Sequence, residues 1–231
     1  MVRAELEYAY GENRGKVRQV RAEARLVSHG KSHRRSAAPV RRAERARLLR
    51  IIGGAWRGRK LRFPASAAIR PTPDRVRETL FNWLGAATQG ARCLDLFAGS
   101  GALGLEALSR GAAHVTFVEQ DRCAVRELRA RLAEWQAAGA QVERGDALRY
   151  LTGAARPFDI VFLDPPFASG LLTRAAALLE ERRWLRDGAL IYVECAAREP
   201  LPALPPGWRP LKAKQAGEVG YHLLVNAAPG T

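Results

Sequence analysis

The residues best suited to chemistry in this sequence are acids that directly follow short apolar runs. Asp164 follows residues 158–163, and the next residues are Pro165, Pro166 and Phe167. The prolines stiffen the backbone and contribute no N–H donors, so carbonyl oxygens and the Asp164 carboxylate remain as acceptors. Such acceptors suit a planar amino group: Asp164 would take one hydrogen, the Pro165 carbonyl the other, and Phe167 would stack on the ring. A rigid exit from a strand is the alternative interpretation.

A second acid, Asp95, lies in the apolar run of residues 91–97, which leads into a turn with glycines at 99, 101 and 104. The pattern predicts a strand, a tight loop and a helix start, whose free N–H groups can bind a small anion. Asp95 would repel the pyrophosphate of a dinucleotide. S-adenosylmethionine fits better, because Asp95 can face its sulfonium and ammonium while the helix start faces its carboxylate. The alternative is a turn that only packs helix on sheet, with Asp95 as the helix cap.

Two further acids follow predicted strands. Glu119 ends residues 114–119, where it can accept hydrogen bonds from both ribose hydroxyls of such a ligand. Asp146 follows residues 140–143 and could accept from the adenine amino group. Capping a short helix at residues 148–151 is nearly as good an interpretation of Asp146, and the two roles are compatible.

Together these acids favour methyl transfer to an exocyclic amine. The lone pair of such an amine is delocalised into its base, and acceptors that draw the N–H bonds out of the ring plane would free it for attack. Alignment and electrostatics would supply most of the acceleration, and the product amine would lose its proton to Asp164 or to water.

The rest of the sequence predicts the framework that positions the acids. Strands are expected at residues 91–97, 114–119, 140–143, 158–163 and 189–195, and helices at residues 102–110, 121–138 and 171–181. Two more strand-like runs, 208–214 and 219–226, follow a proline-rich stretch. This alternation predicts an α/β fold with a mainly parallel sheet, helices on its faces and a C-terminal antiparallel hairpin. Ligands of such sheets bind beyond the carboxyl ends of the strands, so the acids should share one cleft.

The composition of the chain indicates which classes of partner it could bind. The chain has 231 residues, of which 47% are hydrophobic, and a formal net charge of +15. Most of the excess cations precede Thr79, so we expect the N-terminal part to bind a polyanion such as nucleic acid. No apolar run has the length of a membrane span, no signal core is evident, and the cysteines match no metal-binding spacing. We therefore expect a cytoplasmic protein that uses neither a membrane nor a metal.

The N-terminal region divides into two parts. Residues 1–49 are basic and lack any period, and we expect them to be disordered. A non-ATG start near position 48 and an RNA-attracting tail both remain open. Over residues 50–61, cations alternate with Trp56 and glycines, which favours a β-hairpin on a phosphate backbone or, alternatively, a charged edge hairpin. Thr72 is predicted to cap the following helix, with Pro73 in its first turn.

Two motifs together resemble the class I S-adenosylmethionine-dependent amino-methyltransferases: DLFAGSGALG at residues 95–104 and DPPF at residues 164–167. With RIIGG (50–54), RGRKL (57–61), RPT (70–72) and DRVRETLFNWL (74–84), the sequence closely resembles the bacterial 16S ribosomal RNA guanine-N2 methyltransferase family. The similarity extends from residue 50 to about residue 224. It implies a Rossmann-like, seven-stranded methyltransferase domain at residues 73–226, an RNA-binding hairpin and linker at 50–72, and a tail at 227–231.

The resemblance also implies roles. The protein would act as a monomer and transfer a methyl group from S-adenosyl-L-methionine to N2 of one guanine in 16S ribosomal RNA, within the small subunit. The cofactor would be held by Asp95, Phe97, Ala98, Gly99, Ser100, Gly101, Gly104, Glu119, Asp146 and Ala147. The target guanine, flipped out of its stack, would be held by Asp164, Pro165, Pro166 and Phe167. RNA would be held by Arg50, Arg57, Arg59, Lys60, Arg62, Arg70 and Arg75.

Other functions remain open at this point. The same reaction on an adenine or cytosine amino group of DNA would use the same acceptor motif. A non-catalytic RNA-binding assembly factor would leave Asp95, Glu119 and Asp164 without a role. A nicotinamide oxidoreductase is disfavoured by Asp95 and by the lack of an evident hydride-transfer partner.

Overall fold

The computed structural model describes residues 47–63, 72–167 and 169–227. For Arg47, Arg62 and Phe63 it describes the backbone alone. The predictions for residues 1–46, for Arg70 and for residues 228–231 lie outside the described residues. Within the described ranges, no helix has both the length and the apolar character needed to span a bilayer.

Strands and helices alternate along most of the described chain. The strands are β1 (Arg47–Arg50), β2 (Lys60–Phe63), β3 (Arg92–Asp95), β4 (His114–Glu119), β5 (Ala140–Arg144), β6 (Phe158–Leu163), β7 (Leu185–Ala196), β8 (Trp208–Ala216) and β9 (Val219–Asn226). The helices are α1 (Asp74–Leu84), α2 (Ala102–Ser109), α3 (Arg122–Glu134), α4 (Ala147–Leu151) and α5 (Leu171–Glu181), and a 3₁₀ turn, Gly85–Thr88, follows α1.

One seven-stranded sheet, in the order β5-β4-β3-β6-β7-β9-β8, forms the centre of the fold. Strands β3 to β7 pair in parallel, whereas β9 runs antiparallel to both of its neighbours. The predicted mainly parallel sheet with an antiparallel C-terminal hairpin is confirmed. The chain winds outward in one direction from β3 and in the other from β6. These two neighbours therefore form the switch point at which open α/β sheets bind ligands.

Alternate residues of each strand point to opposite faces of the sheet. Helices cover both faces and pack against these side chains. On one face, Phe117, Ile160 and Phe162 pack with side chains from α1, α2 and α3. On the other face, Val161 and Leu163 pack with α4 and α5. Close packing on two sides holds the carboxyl ends of the strands as one rigid edge.

A separate hairpin precedes α1. Its strands β1 and β2 pair antiparallel. The hairpin predicted over residues 50–61 is present, but most of that range is its loop and the strands lie at the two ends. Leu49, Ile51 and Leu61 are buried in the main core. Burial of these apolar side chains, more than the alternation of cations, explains where the strands lie.

Two predicted boundaries differ from the structure by four residues, and the others by no more than two. Helix α3 ends at Glu134 rather than residue 138, because Gln136 adopts a left-handed φ of 52° that a helix cannot continue through. Strand β7 begins at Leu185 rather than residue 189. Its Arg-Asp-Gly segment has the composition of a turn, yet Leu185 is buried and pairs with Phe158 of β6.

The prediction that Thr72 caps α1 was wrong. Pro73 occupies the N-cap position, and no side chain accepts a hydrogen bond from the first turn. The Thr72 hydroxyl instead lies beside Asp164, with 3.5 Å between Oγ1 and Oδ2. Thr72 therefore belongs to the cleft at the sheet edge.

Candidate active site

Four acids follow one another along the carboxyl edge of the sheet, each at or within two residues of the end of one of four neighbouring strands. In sheet order they are Glu119 of β4, Asp95 of β3, Asp164 after β6 and Glu194 of β7. Asp95 and Asp164 flank the switch point, close enough for the charge of Asp95 to raise the pKa of Asp164. The two predicted motifs therefore face one cleft.

The glycine-rich loop between β3 and α2 is anchored by the main chain. Ala98 N donates to Val118 O of β4 at 3.0 Å. Gly99 and Gly101 have φ values of 52° and 76°, a region that L side chains rarely adopt. The loop is thus formed before any ligand arrives.

Asp95 lies buried beneath this loop. It is 3% exposed, and its Oδ2 accepts a hydrogen bond from Gly104 N at 3.0 Å. Burial raises the pKa of Asp95 to about 7; the Gly104 amide opposes this rise and the Glu119 carboxylate adds to it. A cation bound beside Asp95 would therefore stabilise its ionised form.

The alternative role of Asp95 as a helix cap is also observed, since Gly104 lies in the first turn of α2. One of the free N–H groups of the helix is thus already used. Gly104 also lets α2 approach the sheet closely, because a Cβ there would lie 2.2 Å from the Phe117 ring. The packing of α2 against the sheet therefore depends on this turn.

Glu119 is fixed by two main-chain amides. Its Oε2 accepts from Gly99 N and its Oε1 from Asp121 N, both at 2.7 Å. Each oxygen keeps a second lone pair that a ribose hydroxyl could use. Glu119 therefore shapes the glycine loop as well as presenting acceptors, a role that the sequence did not predict.

The other predicted cofactor residues lie around the same opening. Asp146 is exposed and caps α4, with Oδ1 accepting from Arg149 N at 2.9 Å, so the capping interpretation is confirmed. Gly145 N donates to Glu119 O at 3.0 Å, which places Asp146 beside the end of β4. The remaining three are half-buried or buried in or near the loop: Phe97, Ser100 and Ala147.

The segment after β6 presents acceptors on a stiff backbone. Asp164 is half-buried, Pro165 is buried and Pro166 is exposed. Phe167 is 47% exposed although it is aromatic. An exposed ring beside hydrogen-bond acceptors suits stacking on a flat base.

Two residues that the sequence analysis missed surround Asp164. Thr72 is buried next to it, as described above. Glu194 is 3% exposed and accepts a hydrogen bond from Tyr192 OH at 2.8 Å. Glu194 follows the apolar residues 189–193 of β7, much as Asp95 follows apolar residues of β3, so this signal could have found it.

Burial dominates the electrostatics of this side of the cleft. It raises the pKa of Asp164 well above its usual value, and the carboxylates of Glu194 and Asp95 raise it further. Burial also raises the pKa of Glu194, against the lowering effect of hydrogen bonds from Tyr192 and Thr72. Asp164 and Glu194 therefore hold protons to a higher pH than exposed acids do.

The basic hairpin is fixed to α2 through Glu106. This buried carboxylate accepts from the amides of Ile52 and Gly53 at 2.9 and 2.8 Å. Arg77 and Arg110 pair with it at 3.4 and 2.8 Å. One anion thus joins the hairpin loop, α1 and α2, and α2 begins at the glycine-rich loop.

The predicted RNA-binding cations are exposed wherever the structure describes their side chains. Arg50 lies 3.6 Å from Asp74, and the Arg59 guanidinium lies 5.4 Å from the centre of the Trp135 ring. The exposed set is Arg50, Arg57, Arg59, Lys60 and Arg75. The side chain of Arg62, like all of Arg70, lies outside the described residues.

The sheet order, its antiparallel end and the acids at the switch point define the class of the protein: the fold is that of the Rossmann-like methyltransferases. A solved RNA methyltransferase from Salinibacter ruber, in complex with S-adenosyl-L-homocysteine, shares this fold with a TM-score of 0.53 at 17% identity. The superposition covers 70% of this chain and 97% of that one.

The chain belongs to the family described as conserved hypothetical protein 95, whose model matches residues 49–225. It is 52% identical to ribosomal RNA small subunit methyltransferase D of Escherichia coli K12 over 182 residues, 79% of this chain and 92% of the relative. The putative methyltransferase yhhF from Escherichia coli has a solved structure that matches with a TM-score of 0.74 at 51% identity, covering 78% of this chain and 99% of that one. The methyltransferase family inferred from the motifs is confirmed.

Proposed function

We propose that the protein methylates the exocyclic N2 of a specific guanine in 16S ribosomal RNA. S-adenosyl-L-methionine is the cofactor. The relative named a small-subunit ribosomal RNA methyltransferase supports the choice of RNA. The observation that carries the reaction type is the shared switch point, where buried Asp95 stands beside the acceptors of Asp164 and Pro165.

The residues around Asp95 suit a cationic methyl donor. In the described residues, the groups that act on the pKa of Asp95 include a second carboxylate and no cation. Glu119 offers acceptors for ribose hydroxyls and Asp146 for an amino group, while the N-terminus of α2 is proposed to face the carboxylate. The bound cofactor supplies a methyl group on positively charged sulfur, with a neutral thioether as the leaving group. The proposed cofactor residues are Asp95, Phe97, Ala98, Gly99, Ser100, Gly101, Gly104, Glu119, Asp146 and Ala147.

The segment after β6 is proposed to hold the amine. The Asp164 carboxylate accepts one N–H and the Pro165 carbonyl accepts the other, which draws both bonds out of the ring plane and frees the lone pair. Pro166 adds stiffness and no competing N–H donor. Phe167 stacks on the base and offsets part of the cost of flipping it out of a helix.

The exposed cations of the hairpin and α1 are proposed to bind the RNA backbone. Because Glu106 ties the hairpin loop to α2, these cations keep a fixed position relative to the glycine-rich loop. Arg62 and Arg70 join this set on sequence grounds alone. We propose that the protein acts as a monomer in the cytoplasm, on RNA within the small ribosomal subunit.

The test is methyl transfer from labelled cofactor to two substrates, small subunits and protein-free 16S RNA, both isolated from cells that lack this protein. Mass analysis of the nucleosides identifies the product. We expect N2-methylguanosine at a single RNA position, and none with the Asp164→Asn variant. A methylated adenine or cytosine, or no transfer to either substrate, would contradict the proposal.

A further inference from the structure

The carboxyl edge holds one acid that the proposed reaction does not use. In the parallel pair of β6 and β7, Leu163 lies opposite Val193. Asp164 directly follows β6 and Glu194 is the next residue of β7, so the register places these two residues beside each other. Glu194 is 3% exposed, and a buried acid next to another acid needs a physical reason.

Hydroxyl groups surround this pair of carboxyl groups. Thr72 Oγ1 lies 3.5 Å from Asp164 Oδ2 and also interacts with the Glu194 carboxyl. Tyr192 OH donates to Glu194 Oε1 at 2.8 Å. The titratable groups that face the pair from neighbouring strands are Asp95 of β3, Tyr192 of β7 and Tyr221 of β9, and none of these is a cation.

We propose that Glu194 is a positioning residue that acts through Asp164: the two carboxyl groups share one proton by way of the Thr72 hydroxyl, and Glu194 takes up the proton that Asp164 receives from the methylated amine. The inference rests on the amine-binding role proposed for Asp164. Two adjacent buried carboxylates repel one another, so the pair carries a single negative charge at neutral pH.

The pair of carboxyl groups can accept the proton and the positive charge that methyl transfer leaves on the amine. As the amine lone pair forms the N–C bond, the bond between carbon and sulfur breaks and its electrons stay on sulfur. The nitrogen is then positively charged, and it passes a proton to Asp164 while keeping the N–H electrons. The pair now holds two protons and no charge. One proton leaves to water with the product, which restores the single charge.

The first test is the pH dependence of Glu194→Gln. The amide keeps an oxygen acceptor for the Tyr192 hydroxyl, so the fold should be retained. The shared proton eases the first ionisation of the pair, and a Gln at position 194 cannot hold that proton. The acidic limb of the kcat profile should therefore shift up by about one pH unit or more, and kcat at neutral pH should fall about tenfold while KM for RNA changes little.

The matched control is Glu181→Gln, which removes one exposed carboxylate at the far end of α5. It should leave kcat, KM and the pH profile unchanged. If Glu194→Gln lowers kcat equally at every pH, its role is structural and the shared proton is contradicted. An acidic limb that stays where it is in the wild type would contradict the shared proton as well.

A second readout needs no turnover. Infrared difference spectra of the ligand-free protein across pH report protonated carboxyl groups directly. We expect a protonated carboxyl signal at neutral pH that is lost equally in Asp164→Asn and Glu194→Gln, because one proton belongs to both. If each substitution removes a different carboxyl signal, the shared proton is overturned even if the wild type forms N2-methylguanosine. Failure of the wild type to methylate guanine would instead overturn the proposed function, and the shared proton with it.

Discussion

The acids on the two sides of the carboxyl edge differ in the hydrogen-bond donors that they receive. On the side proposed for the cofactor, Glu119 receives main-chain N–H bonds on both oxygens, and Asp95 receives one. On the side proposed for the amine, the described residues offer Asp164 only the long contact from Thr72. Main-chain donors therefore fix the acids of the first side. Asp164 on the second side is short of donors, which the N–H groups of the proposed substrate would supply.

With this difference, one sheet edge could serve two ligands. Acids held by the backbone keep their positions whatever occupies the cleft. Acids without donors gain most from a partner that brings its own hydrogens. Substitutions on the two sides should therefore separate cofactor binding from turnover.

The largest effect is expected for Asp164→Asn. Its amide places an N–H donor where the amine needs an acceptor and cannot take up a proton, so kcat should fall about a thousandfold or more. Cofactor affinity should stay within about twofold, because the glycine loop is untouched. Single-turnover kinetics and calorimetry measure the two quantities. A variant that transfers methyl groups at the wild-type rate, or one that loses the cofactor, would remove the distinction between the sides.

Asp95→Asn should weaken cofactor binding about thirtyfold, because the buried negative charge that faces the cofactor is lost. The same substitution should stabilise the ligand-free protein at alkaline pH. The pKa of Asp95 rises to about 7 in the folded chain, so its contribution to stability falls as pH rises from the ordinary carboxyl pKa towards 7 and stays lost above it.

Urea unfolding at pH 5 and pH 8 checks this second effect. At pH 8, Asp95→Asn should raise the free energy of unfolding by an amount on the order of 2 kcal/mol, and at pH 5 by less. The control is Asp187→Asn, which changes an exposed acid of β7. Equal stability of wild type and Asp95→Asn at pH 8 would show that the buried charge carries no cost.

Glu119→Gln tests the acid of the carboxyl edge that accepts two main-chain hydrogen bonds. The amide has one oxygen in place of two, so it can serve only one of the amides of Gly99 and Asp121. Cofactor affinity should fall about tenfold with little change in kcat at saturation. A fall in kcat with unchanged affinity would place Glu119 on the acceptor side instead.

The smallest effect is expected for substitutions of single hairpin cations, measured as RNA affinity. Arg57→Ala and Arg59→Ala should each weaken RNA binding about threefold at moderate salt, and should reduce the slope of log affinity against log salt by about one. Arg209→Ala, which removes an exposed cation of β8, is the control. If Arg209→Ala has the same effect as the hairpin variants, the hairpin has no special role in RNA binding.

The sequence predicted the local structure around Asp95 and Glu119 because its parts are neighbours in the chain. Strand, glycine turn and helix run continuously through Asp95 to Gly104, and Glu119 ends the next strand. The alternation of apolar and polar residues was enough to place both acids at one edge. The glycine at 104 also acts as predicted, by letting helix and sheet approach.

The acceptor side could be predicted only in part because it is assembled from distant segments. Thr72 reaches Asp164 across 92 positions of sequence, and a threonine before a helix has the pattern of a cap. Glu194 meets Asp164 through the register of β6 and β7, which no local pattern specifies. Similarly, α3 ends where Gln136 adopts a positive φ, which the residue type glutamine does not predict.

The most direct test of the account is a crystal structure of the protein with S-adenosyl-L-homocysteine and a guanine-containing RNA fragment. We predict that guanine N2 lies within about 3.2 Å of both the Asp164 carboxylate and the Pro165 carbonyl, with Phe167 against the base. The sulfur should lie on the Asp95 side of N2. A guanine whose N2 points away from Asp164, or a cofactor bound away from the glycine-rich loop, would contradict the central claim.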